Sequence, residues 1–363
     1  MFNSVREGER RYRGLLAALI GAIIAGVAVA TVALATDPTP SREPSGTPAS
    51  QPVSSGTPLS RAVPTGALAL QSAIVNVVQS VSPSVVQIED QRGLGSGIVF
   101  DASGDIVTNN HVVSGASSWT VTTSSGTRYQ ARLVGSFPAD DLAVIKISGS
   151  HLQPATFADS SKLRVGDLAI AIGNPLGLQS SVTEGIVSAF REAVQEDSSV
   201  TLPMLIQTSA EINPGNSGGA LVDIAGRVIG IPTLAATDPQ FGGSAPGIGF
   251  ALPSNLVKDI AGQIVAKGKV VRSHRAFLGI RVGDTNGNGV LVGAVTAGGA
   301  AARAGMRVGD VITAVDGTAT STSGALSAVL AGLKPGQKVP VVVKHQNGRK
   351  ATLHVTLGSL RGS

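Results

Sequence analysis

The chain has 363 residues, a length typical of two or three domains rather than one. It contains no cysteine, which excludes disulfides, thiolate catalysis and cysteine-based zinc sites. The net charge of +5 is uneven, since residues 272–363 hold 11 Lys and Arg against 3 Asp and Glu, whereas residues 73–271 hold 11 against 16. The basic residues are scattered and not interleaved with aromatics, so the C-terminal part favours carboxylate-bearing partners or anionic lipid over nucleic acid.

Residues 14–36 form an uncharged, largely apolar run near the N-terminus. About 20 such residues cross a bilayer as a helix. Four arginines precede the run within residues 1–13, so the positive-inside rule places that segment in the cytoplasm and everything after Asp37 outside. We therefore expect a single-pass transmembrane helix in the cell membrane. Two alternatives stay open: a buried soluble helix, and a signal peptide cleaved at residues 33–35.

Composition divides the rest of the chain into three parts. Residues 37–72 are rich in Pro, Ser, Thr and Gly, which predicts a flexible linker. In residues 73–271 short apolar runs alternate with Gly, Asp, Asn and Ser, a pattern typical of β-sandwiches and β-barrels. Apolar residues recur at helical spacing between Ser254 and Lys267, which predicts a helix at the end of this part. Ser254 is its expected N-cap and Gly268 its expected C-cap.

A serine lies between glycines in the segment Asn213-Pro214-Gly215-Asn216-Ser217-Gly218-Gly219, just ahead of an apolar run. Flanking glycines let successive backbone N–H groups point into one small space. A serine hydroxyl held there becomes a nucleophile only when a base removes its proton. An ordinary glycine-rich turn explains the segment equally well, so the choice depends on a base and an orienting acid elsewhere.

His111 and a nearby aspartate are the candidates for that base and acid. His111 follows the apolar run 106–108 and two asparagines, which presents an imidazole at a strand end, whereas the other four histidines have polar or charged neighbours and are predicted to be solvated. Asp140 and Asp141 precede the apolar run 142–145, and Asp141 is the better candidate because it abuts that run, with Asp140 facing solvent. The chain order His, Asp, Ser is that of chymotrypsin-type triads.

These motifs resemble those of the HtrA/Deg family of trypsin-fold serine proteases. The resemblance rests on residues 108–113, 141–144 and 213–219, with further landmarks at residues 93–97 and 247–253, and it covers about residues 75–360. It implies a mainly β protein with two six-stranded β-barrels and an active site in the cleft between them.

The resemblance also implies roles for single residues. His111 is then general base and general acid, Asp141 orients it, and Ser217 attacks the scissile carbonyl. The backbone N–H groups of Gly215 and Ser217 form the oxyanion hole, with that of Asn216 between them.

The resemblance implies a switch between ordered and disordered active-site loops. In this chain the segments expected to take part are residues 191–203 and 233–246, which are long and rich in Gly, Ser and Asp. Ser209 stands where the family commonly has Asp, and Glu211 stands where a small residue is usual. These two departures put the activation equilibrium and the specificity pocket in question.

The C-terminal part, residues 272–363, resembles a PDZ domain, with its helix expected at residues 323–333. Leu278, Gly279 and Ile280 correspond to the loop whose N–H groups receive the carboxylate of a peptide C-terminus, and the peptide adds as a strand to a sheet edge. A small α+β domain without a ligand is the alternative. Residues 284–289 begin like a calcium loop but have Val295 where the bidentate Glu should stand, so we predict a hairpin and no metal site.

Taken together, the resemblance implies an extracytoplasmic serine endopeptidase without a cofactor that degrades or processes unfolded or damaged proteins in envelope quality control. Peptide binding to the PDZ domain is expected to control its activity. Two alternatives stay open: a peptide-binding chaperone or scaffold with latent proteolysis, and a signalling protease that cleaves one membrane partner. The family implies a homotrimer, often held by aromatics ahead of the first barrel; residues 70–84 contain none, so the oligomeric state stays open.

Overall fold

The computed structural model describes residues 64–149, 152–174, 181–195, 201–213, 215–237 and 244–362. The described chain begins with helix α1 (Thr65–Val81), whose buried side chains are Val77 and Val81. Part of the predicted flexible linker is therefore helical, because the Ala- and Leu-rich start of this segment forms helix readily and its C-terminal end packs into a core. A 3₁₀ turn (Ser82–Ser84) leads into the first strand.

The first six strands close into a barrel in the order β1-β2-β3-β6-β5-β4. Its interior is filled by aliphatic side chains and Trp119. A one-turn helix, α2 (Asn110–Val113), follows β3 directly. The strands are β1 (Val85–Glu89), β2 (Leu94–Val99), β3 (Asp105–Asn109), β4 (Trp119–Thr122), β5 (Arg128–Phe137) and β6 (Leu142–Ile147).

The next six strands close a second barrel in the order β10-β11-β12-β9-β8-β7. Five alanines pack there with larger aliphatic side chains, namely Val187, Leu221 and three isoleucines. The two six-stranded barrels expected from the sequence are thus confirmed. The strands are β7 (Leu168–Gly173), β8 (Ser181–Gln195), β9 (Thr201–Thr208), β10 (Ala220–Val222), β11 (Val228–Thr237) and β12 (Ser244–Pro253), and a 3₁₀ turn (Ser160–Lys162) precedes them.

The two segments expected to be active-site loops are largely strand. Residues 191–195 and 201–203 pair across β8 and β9, and residues 233–237 continue β11. Pairing within long hairpins satisfies the backbone N–H and C=O groups of these residues. Their content of Gly, Ser and Asp predicted loops instead. The middle of each segment, residues 196–200 and 238–243, lies outside the described residues.

Helix α3 (Ser254–Lys267) packs against both barrels, since Val257, Ile260 and Ile264 share one core cluster with residues of β3 and β7. The helix was predicted with these bounds. Its C-cap is confirmed, because Gly268 has φ 70° and its N–H bonds to Ile264. Ser254 is not the N-cap, as its hydroxyl donates instead to the Ala158 carbonyl at 3.0 Å.

The C-terminal domain has its own core and a six-stranded sheet, in which the main path is β14-β15-β16-β18-β19 and β17 pairs with β16. Residues 284–289 form the predicted hairpin between β14 and β15. The elements are β13 (Ala276–Phe277), β14 (Ile280–Asp284), β15 (Val290–Val295), α4 (Ala300–Arg303), β16 (Val311–Val315), β17 (Thr318–Ala319), α5 (Ser323–Ala331), β18 (Lys338–Lys344), β19 (Lys350–Thr356) and β20 (Gly358–Ser359).

No helix within the described ranges is long and apolar enough to cross a bilayer. The transmembrane helix predicted at residues 14–36 lies outside those ranges.

Candidate active site

Antiparallel pairing of β3 with β6 brings the predicted base and acid together. Asn109, the last residue of β3, lies opposite Leu142, the first residue of β6. The residues that follow one strand and precede the other therefore meet at the same barrel edge. Those residues are His111, on α2, and Asp141, which lies between β6 and a 3₁₀ turn (Pro138–Asp140).

The carboxylate of Asp141 is buried and accepts three hydrogen bonds. The Nδ1 atom of His111 lies 2.8 Å from Oδ2, and the His111 backbone N–H donates to Oδ1 at 2.9 Å. The hydroxyl of Thr233, on β11 of the second barrel, donates to Oδ2 at 2.5 Å. Because a carboxylate only accepts, Nδ1 carries the proton and the lone pair of the neutral ring is on Nε2. This is the tautomer that general-base chemistry at Nε2 requires.

The backbone of Asp141 is also held by hydrogen bonds. Its carbonyl accepts hydrogen bonds from the N–H of Asn110 and from the side-chain amide of Asn109, both at 3.0 Å. The two asparagines ahead of the histidine thus hold the acid in place. Sequence reasoning used them only as a sign of a strand end.

Ser217 lies in a tight loop that runs from Gly215 into β10. The N–H of Asn216 donates to the Asn213 carbonyl at 3.0 Å, and the N–H of Gly219 donates to the Asn216 carbonyl at 2.9 Å. Gly215 and Gly218 have φ values of 102° and 80°, which side-chain-bearing residues rarely adopt. The glycines around the serine are therefore needed for the backbone path.

The loop leaves two backbone donors for a developing oxyanion. Among the described residues, the N–H groups of Gly215 and Ser217 have no hydrogen-bond partner. The N–H of Asn216 is already used within the turn, which corrects the expectation that it contributes to the oxyanion hole. Two N–H donors are the usual number for stabilising a tetrahedral intermediate.

Ser96, on β2 of the first barrel, is a buried residue that fixes the serine loop. Its hydroxyl donates to the carbonyl of Gly215 at 2.5 Å and accepts from the N–H of Asn174 at 2.8 Å. Its backbone N–H donates to the carbonyl of Ser217 at 2.9 Å, and its carbonyl accepts from the Thr108 hydroxyl at 2.7 Å. Sequence reasoning missed this role, and the only signal was the position of Ser96 within the Gly-rich segment 93–97.

A cavity of about 570 Å³ opens above these groups. Its lining includes the apolar side chains of Ile212 and Leu234 and the charged side chains of Asp90 and Arg92. Burial acts to raise the pKa of Asp90, but hydrogen bonds from Arg92 and from the N–H groups of Arg92 and Gly93 bring that pKa below its ordinary value. The lining residues are Asp90, Arg92, Gly93, Leu94, His111, Val112, Ile212, Asn213, Gly215, Ser217, Thr233 and Leu234.

The two departures from the family pattern have structural roles next to this loop. The hydroxyl of Ser209 accepts from the Ile186 N–H at 3.0 Å, so it joins β8 to the segment after β9. The Glu211 carbonyl accepts from the Thr183 hydroxyl at 2.8 Å and from the Asn216 side-chain amide at 3.4 Å. The Ser209 contact depends on its hydroxyl, whereas the Glu211 contacts use a backbone carbonyl that any residue would supply.

In the C-terminal domain, a second cavity of about 220 Å³ lies between β14 and α5. Leu278 and Ile280, from the predicted carboxylate loop, line it together with Leu326 and Leu330 of α5. Gly279, with φ 78°, turns the loop. One edge of β14 pairs with β15, and the other faces this groove, which suits the addition of an extended peptide.

Asp140 does not face solvent, contrary to the expectation from its place in a charged pair. Its side chain is 0% exposed, and Oδ1 lies 2.9 Å from Nη1 of Arg275. Burial raises the pKa of this carboxyl, while the charge of Arg275 and its hydrogen bond act in the opposite direction. Arg275 is 135 residues away in the chain, so the sequence around Asp140 gave no sign of the cation that allows this carboxylate to be buried.

Comparison with known proteins agrees with the fold and with a serine protease. The trypsin-like peptidase domain family matches residues 95–231, and the PDZ domain family matches residues 276–357. "Serine protease Do-like HtrA" of Lactococcus lactis is 43% identical over 289 residues, which are 72% of this chain and 70% of that protein. "Serine protease PepD" of Mycobacterium tuberculosis is 36% identical over 376 residues, which are 97% of this chain and 78% of that protein.

Solved structures show the same likeness. "HtrA-type protease AlgW with decapeptide" superimposes with a TM-score of 0.54 at 34% identity, covering 79% of this chain and 98% of that one.

Among the relatives found by sequence, the chain spans 59% of the length of a Pseudomonas putida protein named "Probable periplasmic serine endoprotease DegP-like", with 36% identity. The fold, the site and these relatives define a trypsin-like serine endopeptidase with a PDZ domain. The chain belongs to the HtrA family of serine proteases.

Proposed function

We propose that this chain is a membrane-anchored, extracytoplasmic serine endopeptidase that degrades unfolded or damaged proteins, with His111, Asp141 and Ser217 as its catalytic triad. The observation that carries the triad is the arrangement of the Asp141 carboxylate, which orients His111 in the cavity that Ser217 also lines. In this structure the Ser217 hydroxyl donates to the Thr233 carbonyl at 3.4 Å, so it must turn towards Nε2 of His111 to react. A glycine-rich turn without a catalytic role would not require a buried carboxylate, an oriented imidazole and two unpaired N–H donors around it.

The reaction follows from these positions. The hydroxyl oxygen of Ser217 attacks the scissile carbonyl carbon while Nε2 of His111 takes the hydroxyl proton. Asp141 stabilises the imidazolium, and the N–H groups of Gly215 and Ser217 receive the oxyanion. The imidazolium then gives its proton to the leaving amine, which frees the C-terminal fragment. A water molecule, activated by the same imidazole, hydrolyses the acyl-enzyme and restores Ser217.

The cleft bears on the choice of substrate. Ile212, 6% exposed, and Leu234 are apolar residues that line the cavity together with Ser217, which favours an aliphatic side chain at P1. Unfolded proteins expose such side chains along an extended backbone. Degradation of unfolded chains is therefore the function that this cleft supports best.

The PDZ groove supplies the proposed control of activity. A peptide with a free C-terminal carboxylate would add as a strand to β14, with its carboxylate at the N–H groups of Leu278, Gly279 and Ile280. The excess of basic residues in residues 272–363 favours such an anionic end.

Location and assembly follow from the N-terminal sequence and from the relatives. The uncharged run at residues 14–36, with arginines ahead of it, supports an anchor that leaves the barrels outside the cytoplasm. Relatives from Pseudomonas putida and Escherichia coli are named periplasmic serine endoproteases. The homotrimer expected from the family is tested by sedimentation of the purified chain, where the mass of a single chain would contradict it.

Digestion of unfolded casein tests the proposed function. We expect the wild-type chain to cleave casein, the Ser217→Ala variant to be inactive, and a peptide with a free C-terminal carboxylate to change the wild-type rate. Ser125→Ala, an exposed serine in a turn of the first barrel, is the matched control and should retain full activity. Equal cleavage by wild type and Ser217→Ala would refute the proposed triad, and peptide capture without any cleavage would favour the latent chaperone or scaffold.

A further inference from the structure

The backbone of Asp141 has an unusual conformation that its neighbours must hold. Its φ and ψ are 48° and 43°, in the left-handed region that residues with a side chain adopt rarely, aspartate and asparagine more readily than most. The residue follows the 3₁₀ turn Pro138–Asp140, and its N–H donates to the Pro138 carbonyl at 3.1 Å. The direction of the carboxylate therefore depends on how firmly this turn is fixed.

The turn is fixed through the neighbouring residue, Asp140. Its carboxylate is fully buried, and the ion pair with Arg275 at 2.9 Å is its one hydrogen-bonded contact among the described residues; Oδ2 has no partner there. A buried carboxylate without its cation is strongly destabilising, so the position of this side chain depends on Arg275.

Arg275 binds more than the carboxylate. Its Nη1 also donates to the carbonyl of Ala139, and its Nη2 donates to the carbonyl of Thr201, the first residue of β9. One planar guanidinium thus ties the turn before Asp141 to the strand that leads towards the serine loop. Lysine could not make this set of contacts, because it lacks the planar fork of donors.

The guanidinium comes from the segment that enters the PDZ domain. Arg275 directly precedes β13, its carbonyl accepts from the Leu360 N–H at 3.0 Å, and only 11% of its side chain is exposed. Arg275 and Ala139 both line the groove between β14 and α5. The C-terminal domain therefore contacts the first barrel at the turn that carries the acid.

We propose that Asp140 and Arg275 form a positioning pair, through which the segment entering the PDZ domain sets the direction of the Asp141 carboxylate. This inference rests on the proposed triad. Neither residue touches the reacting atoms: Arg275 holds Asp140 and Ala139, these hold the turn, and the turn aims Asp141 at His111.

The test compares turnover per reactive serine in the full-length chain. A serine-directed phosphonate titrates the number of reactive sites, and kcat and KM for an unstructured peptide substrate are then expressed per titrated site. We expect Arg275→Met to lower kcat per site by about tenfold or more with little change in KM, because small misplacements of a catalytic group have large effects on rate. Asp140→Asn should lower it similarly, the double variant should be no worse than the poorer single variant, and Arg275→Lys should recover part of the loss.

Arg272→Met is the matched control, since it removes an exposed arginine from the same segment and should leave kcat unchanged. A merely structural pair would reduce the number of titrated sites and leave kcat per site at the wild-type value, which would overturn the proposal. Equal kinetics for Arg275→Met and Arg272→Met would also overturn it. If the wild-type chain itself takes up no phosphonate, the proposed triad fails first, and the inference falls with it.

Discussion

Thr233 donates its hydroxyl hydrogen bond to Oδ2 of Asp141 at 2.5 Å, so the second barrel completes the environment of an acid that the first barrel supplies. Both residues are buried, and the same oxygen lies 2.8 Å from Nδ1 of His111. The two barrels are therefore linked at the carboxylate that we propose as the acid of the triad. Any shift of one barrel relative to the other would alter the hydrogen bonds that orient the imidazole.

Removing this hydroxyl should lower catalysis without unfolding the chain. Hydrogen bonds to charged groups contribute about 1.5–3 kcal/mol, so we expect Thr233→Val to reduce kcat by roughly tenfold or more. Steady-state kinetics with an unstructured peptide substrate give the measurement. Thr233→Ser, which keeps the hydroxyl, is the control and should stay within a few-fold of wild type. A Thr233→Val variant with wild-type kcat would show that the contact does not support His111.

The hydroxyl of Ser96 should matter for the shape of the oxyanion loop. Ser96→Ala removes the bond to the Gly215 carbonyl and leaves the N–H of Asn174 without its partner. We expect kcat to fall by about tenfold with KM nearly unchanged, because an oxyanion donor acts on the transition state. Ser96→Thr restores a hydroxyl but adds a methyl group in a fully buried site, so it should recover only part of the rate. A change confined to KM would contradict this role.

Gly218 should not tolerate a side chain. Its φ is 80°, and a Cβ atom would come within 2.2 Å of the Ser96 carbonyl oxygen and 2.3 Å of the Thr108 hydroxyl. We expect Gly218→Ala to abolish phosphonate labelling of the serine loop. Gly166→Ala is the matched control, because Gly166 has a φ of 98° and open space around it, so it introduces strain without a clash. Labelling of Gly218→Ala at the wild-type rate would refute the importance of this close approach.

The PDZ groove should discriminate between a free and a blocked peptide end. We expect a decapeptide that ends in valine with a free carboxylate to bind at least tenfold more tightly than its C-terminal amide, because backbone N–H groups bind a charged acceptor more strongly than a neutral one. Isothermal titration of the two peptides gives the comparison. Leu330→Asp, which places a carboxylate in the groove lining, should weaken binding of the free acid. Equal affinities for both peptides would contradict the proposed carboxylate loop.

The sequence was sufficient for the parts of the site that depend on local pattern. His111, Asp141 and Ser217 each lie next to an apolar run, and pairing of β3 with β6 then places two of them together. Helix α3 and the hairpin at residues 284–289 were likewise predicted, because a strong apolar period and a compact turn signal rarely depend on distant residues.

The features that the sequence did not reveal all depend on long-range contacts. The carboxylate of Asp140 is buried because Arg275 pairs with it, and no local signal shows that cation. Ser96 and Thr233 reach the site from other strands, each through a single hydroxyl group. Serine and threonine are too common in the sequence for these two positions to stand out. Ser254 looked like an N-cap, but tertiary packing gives its hydroxyl a different acceptor.

We propose Ser217 as the nucleophile and the Asp141–His111 pair as the groups that activate it. Phosphonate labelling followed by intact-mass and peptide-mass measurement tests it most directly. We predict one phosphonyl adduct per chain, located on the peptide that contains Ser217, absent in Ser217→Ala and slowed at least a hundredfold in His111→Ala. An adduct on another serine, or equal labelling of the Ser217→Ala variant, would contradict the account.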